Sequence, residues 1–232
     1  MSVVPLDPNA LTASGSLRTQ HSFYSLNLDR FNDFCKNRPV LRSHVLSDDI
    51  PGLDLMDLFR FQHWEPLISC THIAYPKAVK LFYFTANFSI GETKSVEAVV
   101  QGRGVNLTAS QINQFLGVPD DGDRYFHTNL WDHPDLDHNT VLTYLFGSHI
   151  SGRASHLQTL QMRALHKFIS YTILPRGGHF DEVNRMHHYL LYMLLNRRRI
   201  NFGYIMLNYM HIIQNDNRRS FPYGDFLSKI LF

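Results

Sequence analysis

Apolar positions recur along this chain mainly at helical spacing. Aromatic and leucine residues return on one face from Phe23 to Phe34, and Arg38-Pro39 stops the run because proline pushes its predecessor out of the helical region. Leu55, Leu58, Phe59 and Gln62 line one side of a short helix expected between Asp54 and Trp64, with Trp64 and Pro66 ending it. Pro76 suits the first turn of the next helix, where its missing N–H is not needed, and Val79, Phe82, Tyr83 and Ala86 form its stripe. The period changes at Ser95–Val100 and Val105–Leu107. These β-branched runs flank Gln101-Gly102-Arg103-Gly104 and predict a small β-hairpin, the one strand signal in the chain.

Thr108-Ala109-Ser110-Gln111 is a capping box: hydroxyl and amide side chains each satisfy a backbone donor at the helix start. Ile112, Phe115 and Leu116 follow, and Gly117 supplies the left-handed stop. Residues 119–138, rich in Asp, His and Pro, predict an exposed loop. Three further periodic runs come next: Leu157 to Ile169 closed by Pro175, Val183 to Leu195, and Phe202 to Ile213. Short turns between them predict antiparallel packing. The expectation is a mainly α protein: a helical domain with one small β-hairpin and a C-terminal antiparallel helical bundle. Residues 1–22 are expected as a flexible leader before a domain over 23–232, divisible into a mixed α/β lobe (23–138) and a helical lobe (139–232). The apolar stretch Phe226–Phe232 is expected either to dock as a last helix or to mark a fragment of a longer reading frame, the latter preferred.

Composition narrows the class. An aromatic content of 13% over 232 residues supplies a real core and argues against disorder. The longest apolar run, Tyr189–Leu195, is far short of the roughly 20 residues a membrane span takes. With an opening that lacks a basic start and apolar run, this predicts an intracellular protein, nuclear or cytoplasmic, without a membrane partner. Cys35 and Cys70 are distant and lack CxxC spacing, so they are expected as reduced, buried thiols. Charge is uneven. Eleven Lys/Arg face sixteen Asp/Glu over residues 1–150, a balance of −5, and eleven face four over 151–232, a balance of +7. That asymmetry points to an anionic partner for the C-terminal part.

Three ordered blocks carry a family resemblance. The first is His63-Trp64-Glu65-Pro66-Leu67 with Tyr75 and Val79–Asn87. The second is Val99–Val105 leading into Ile112-Asn113-Gln114-Phe115-Leu116-Gly117-Val118-Pro119. The third runs from Leu165–Phe168 through Ile173-Leu174-Pro175-Arg176 to Ile200-Asn201-Phe202-Gly203. Over roughly residues 30–231 the chain resembles the plant transposon protein domain, found in plant proteins and polyproteins of retroelement origin. One departure is two additional residues within Tyr83–Asn87 relative to the family's Phe-Tyr-Ala-Asn segment. The resemblance implies transposon ancestry and brings no catalytic residues with it.

The residues themselves offer weak chemistry. A metal-dependent transposase or nuclease needs about three converging carboxylates. Asp48 or Asp49, then Asp132, Asp135 or Asp137, then Glu182 form such a set only by number, without a buried strand to hold the first. His127, Asp132, His133, Asp135, Asp137 and His138 resemble a ligand set but lack fixed helical spacing, and adjacent His187 and His188 diverge by about 100° on a helix. There is no GxSxG elbow, and Gly102-Arg103-Gly104 lacks the ending of a phosphate loop. The expectation is therefore no enzyme, no metal, no cofactor and no small-molecule substrate. The chain reads first as a transposon-derived, non-enzymatic binding or structural/assembly protein whose partner is either nucleic acid or a second copy of itself. The alternative is a nucleic-acid-binding module using Lys167, Arg176, Arg197, Arg198, Arg199, Arg218 and Arg219, with Tyr204, Tyr209 and Tyr223 as stacking partners. The competing reading of those arginines is favourable charge at helix C-termini.

Overall fold

The computed structural model describes residues 20–42, 55–70, 72–89, 94–126, 131–147 and 152–232, with side chains from residue 28 onward. The expected leader over 1–22 lies outside them up to residue 19, as do Asp48, Asp49 and His127. In chain order the elements are α1 (Gln20–Cys35), α2 (Leu55–Gln62), α3 (Glu65–Ile68), α4 (Pro76–Thr85), β1 (Asn87–Ser89), β2 (Ser95–Val100) and β3 (Arg103–Thr108). They continue as α5 (Ala109–Leu116), α6 (His138–Phe146), α7 (Leu160–Phe168), α8 (Arg185–Leu195), α9 (Phe202–Gln214) and α10 (Gly224–Leu231). The protein is mainly α, with one small antiparallel sheet. Among the described residues no helix is long and apolar enough to cross a membrane.

The hairpin forms where expected and gains a third strand. Val100 pairs with Arg103 around Gln101 and Gly102, both at positive φ, as a two-residue turn matched to strand twist demands. β1 joins the other edge of β2 through Asn87↔Glu97 and Ser89↔Ser95. Three residues are too short to show alternation, so β1 left no sequence signal. Val96, Ala98 and Val100 turn inward while Glu97 and Val99 face out. α5 carries its capping box, and Gly117 closes it at φ 77° with its N–H donating to the Asn113 and Gln114 carbonyls.

Two expectations change. The segment from Leu157 to Ile169 is not one helix: Thr159 caps α7, and Ile169–Ile173 widens into a π-helical turn. The stretch 119–138 is not simply exposed, because His133 and Leu136 are buried and Asp137 caps α6 by accepting from the Thr140 N–H at 2.8 Å. The C-terminal helices also choose partners distant in sequence. α9 packs chiefly on α5 and α8 on α6.

Among the described helix pairs, α5 and α9 share the most extensive contact. Asn113 Nδ2 donates to Asn201 Oδ1 at 2.9 Å and to Asp120 Oδ1 at 2.9 Å, and its Oδ1 accepts the Gly203 N–H at 2.6 Å. Asn113, Asn201 and Phe202 are fully buried, and Trp64 sits edge-on to Phe202 at 5.9 Å. The Ile-Asn segment of the second sequence block thus docks on the Ile-Asn-Phe-Gly segment of the third.

A strap from α1 closes the other side. Leu41 N–H donates to the Phe221 carbonyl, Phe221 N–H to Pro39, and Gly224 N–H to Leu41. Gly224 admits this approach because a Cβ would sit 2.8 Å from the Leu41 carbonyl oxygen. The apolar stretch at 226–232 docks as α10: Phe226 and Leu227 are fully buried, and buried Asp225 pairs with Arg42 at 3.0 Å. Arg38, only 2% exposed, donates to the carbonyls of Ile213 (2.6 Å) and Arg219 (2.7 Å) while lying over the Phe221 ring at 4.0 Å. Arg38→Ala leaves two carbonyls unpaired and removes the cation–π contact. It is expected to cost about 2–3 kcal/mol, seen as a lower urea midpoint with unchanged slope. Arg38→Lys is expected to recover only part, since an ammonium lacks the planar fork. An unchanged midpoint in Arg38→Ala would mean the strap is held elsewhere.

Candidate anion-binding cleft

Six of the seven basic residues singled out from the sequence fall into two groups at opposite ends of α8, whose eleven residues run about 16 Å. Arg197, Arg198 and Arg199 form the turn after its C-terminus. Arg197 pairs with Asp57, and Arg199 Nη1 with Asp121 Oδ2 at 2.7 Å. Gln62 pins the turn, donating from Nε2 to the Arg198 carbonyl at 2.6 Å and accepting from Ile200 N–H at 3.1 Å. Two of the three guanidiniums are thus engaged by acids of the N-terminal half, while the Arg198 side chain is exposed. Lys167 is exposed at the end of α7 and touches neither group closely enough to bond among the described residues.

At the other end, Arg176, Arg218 and Arg219 converge on one cleft of about 420 Å³, walled by Leu174–His179 and the 218–220 turn and floored by His187 and Tyr209. Two short segments build it. The π-helical turn carries Ser170 inward and ends in Leu174-Pro175, which throws Arg176 back over the start of α8. After α9, Asp216 folds back on its own turn, accepting from Arg218 Nε and Arg219 Nε at 3.1 Å each. These bonds, Arg218's first, hold the Asp216 carboxyl down at about 2.

Arg176 is the unusual member. Its two Nη2 hydrogens are shared among the Glu182 carbonyl (2.5 Å), Ser170 Oγ (3.1 Å) and His187 Nε2 (3.1 Å), all neutral acceptors. Its Nε is buried without a hydrogen-bond partner. Among the described residues no carboxylate lies within ion-pair distance of it, and burial pulls its pKa below the usual arginine value. Glu182 and Asp181 oppose that shift only at a distance.

Because arginine has no lone pair to offer, His187 Nε2 must accept, which places the ring proton on Nδ1 facing Asn184 Oδ1 at 2.6 Å. His166 Nε2 lies 3.1 Å from the Glu182 carbonyl and donates to it. Burial lowers the pKa of His166 to about 4 and that of His187 well below the ordinary histidine value, so both rings are neutral. Ser170 Oγ, His187 Nε2 and Asn184 Oδ1 do stand in the order nucleophile, base, orienter. Ser170 is fully buried, however, and the His187 lone pair faces Arg176, so this trio seats the guanidinium.

The other candidates are dispersed. His133 Nε2 pairs with Asp123 Oδ2 at 2.6 Å, His138 stacks on Trp131, and Asp137 caps α6. Among the described residues no three His, Cys, Asp or Glu side chains are gathered as a metal site. The tyrosines are not stacking platforms, because Tyr209 and Tyr223 are buried with their hydroxyls donating to the Pro175 and Ile173 carbonyls. Tyr204 is half-buried under Lys94, whose Nζ lies 4.5 Å from its ring centre.

Fold and cleft together define a mainly helical domain closed by an asparagine–glycine joint, with three guanidiniums lining one concave site. The chain belongs to the plant retrotransposon-related domain family, whose model matches residues 60–231. That span holds the α5–α9 joint and the arginine cleft, and confirms the retroelement descent expected from the sequence blocks. No curated protein and no solved structure matches the chain.

Proposed function

We propose that this domain is a non-enzymatic binding module of retroelement descent that engages nucleic-acid phosphates through Arg176, Arg218 and Arg219. One observation carries the reading: three guanidiniums from segments some forty positions apart meet in a single cleft, one of them without a carboxylate partner. Guanidinium groups bind phosphate oxygens in paired hydrogen bonds and release condensed counterions as they do so. Filter retention of single-stranded RNA or DNA is expected at low salt, with three phosphate contacts giving a log–log salt slope of about −2. Arg218→Ala with Arg219→Ala is expected to lower both affinity and slope. Arg197→Ala with Arg199→Ala is expected to leave both nearly unchanged, because those side chains already hold Asp57 and Asp121. Absence of retention at low salt would end the reading.

Self-association is the second reading, favoured by exposed Ile73, Tyr75 and Phe232, with the rings of the last two 4.9 Å apart. Light scattering that finds a strict monomer at high concentration would remove it.

A further inference from the structure

We infer that the cleft holds one phosphate monoester, the terminal phosphate of a single nucleic-acid strand, and does not track a row of backbone phosphates. The source of that phosphate rests on the nucleic-acid reading above; its chemistry rests on the geometry of the cleft.

A track for a strand needs cationic groups spaced along an open surface. Here the second basic group stands at the far end of α8, and two of its three members are paired to carboxylates. Arg176, Arg218 and Arg219 line one half-open cleft instead, with Arg218 exposed at its rim. That space is closed on one side where the two lips meet: a Cβ on Gly177 would stand 2.7 Å from Ser220 Oγ. A pocket shut on one side admits the end of a chain and excludes a strand running through. Its volume of about 420 Å³ falls in the range of small-ligand sites, enough for a terminal nucleotide.

Charge fits an anion there. Asp216 serves Arg218 and Arg219 together, which leaves one positive charge of that pair in excess. Arg176 adds a second, Glu182 on the cleft wall offsets one of the two, and Asp181 acts on Arg176 from outside the lining, so directed guanidinium donors more than net charge favour the anion. The donors are also held in place before a ligand arrives. Asp216 takes Arg219 by Nε and Tyr209 bonds the same guanidinium, which holds its fork toward the cleft. Arg38 fixes the Arg219 carbonyl from behind at 2.7 Å. Ser170, His187 and the Glu182 carbonyl fix Arg176, whose buried Nε lacks a partner. Preorganised donors of this kind favour a compact, highly charged acceptor.

The test is fluorescence anisotropy with one single-stranded oligonucleotide carrying either a 5′-phosphate or a 5′-hydroxyl, on the full chain. The phosphorylated strand is expected to bind about tenfold tighter, the worth of one or two charge-assisted hydrogen bonds. Arg219→Gln is expected to erase that difference with an unchanged circular dichroism spectrum, since its side chain is half exposed on the rim and its partners there are Asp216 and Tyr209. A nucleoside monophosphate is expected to compete. If it binds as tightly as the phosphorylated strand, the monoester site stands and its source is a free nucleotide. Equal binding of both strands, lowered equally by Arg219→Gln, would overturn the monoester site while leaving nucleic-acid binding intact. No binding of either strand or of the monophosphate would overturn both.

Discussion

Gly203→Ala is expected to lower the melting temperature by roughly 10 °C, a loss of about 3–4 kcal/mol. An added Cβ would stand 2.2 Å from the Ala109 carbonyl oxygen and 2.7 Å from Asn113 Oδ1. The first of these is backbone, so no rotamer change relieves it. α9 must move away from α5, and that motion stretches the Gly203–Asn113 bond and the Asn113–Asn201 bond together. A buried amide network half broken in this way costs more than its pairs counted singly. Gly102→Ala is the control. Its φ of 78° is strained for alanine, but no atom lies within 4 Å of the new methyl, so about 1 kcal/mol is expected. Thermal unfolding followed by circular dichroism separates the two. A Gly203→Ala protein melting within a degree or two of the parent would show that α5 and α9 part at little cost.

Acid is expected to destabilise the fold well above the range where carboxylates titrate. Burial lowers His166 and His188 to about 4 from an ordinary value of 6.5, and holds His187 well below its ordinary value. Above pH 6.5 these rings are neutral in both native and unfolded chains and contribute no pH dependence. Below 6.5 the unfolded chain takes up protons that the native protein refuses, so native stability falls with pH until about 4, where His166 and His188 protonate in the fold as well. His166 and His188 can each contribute on the order of 3 kcal/mol across that window, and His187 adds in the same direction. The rings of His166 and His187 lie 4.9 Å apart, so their contributions do not simply add. A total loss on the order of 5 kcal/mol between pH 7 and 4.5 is expected from urea midpoints. His188→Gln is expected to shallow the profile. A flat midpoint over this range would mean that the imidazoles are charged in the native protein.

Local chemistry was readable in the sequence and long-range pairing was not. Thr108, Gln111 and Gly117 specify the two ends of α5 within ten positions, so the helix was drawn correctly from the chain alone. Asn113 and Gly203 lie ninety positions apart, and nothing in either neighbourhood says that one exists to receive the other. The family blocks mark both residues without giving a reason; in the structure they meet in a packing joint. α6 was hidden because its cap, Asp137, sits in an acidic stretch with the composition of a loop. The arginines show the same limit. Their charge is visible in the sequence, but which are neutralised depends on where Asp57, Asp121 and Asp216 fold. Arg176 gave no sign that its partners would all be uncharged.

The strap has a consequence for the order of assembly. Arg42 and Asp225 are separated by 183 positions, and the Leu41–Phe221 bond closes a loop nearly as long. At roughly 5–20 residues per second, ribosomal synthesis leaves residues 38–42 waiting on the order of 10–35 s for the segment they bind. Until then Pro39, Val40 and Leu41 lack their backbone partners, and the helices between them must collapse first. Closure of the strap is therefore the last, most non-local step, and its loop entropy falls on folding rate more than on final stability. Variants at Arg38 or Gly224 are expected to leave early compaction intact and to lengthen the interval in which Phe221 and Phe226 stand open to other nascent chains.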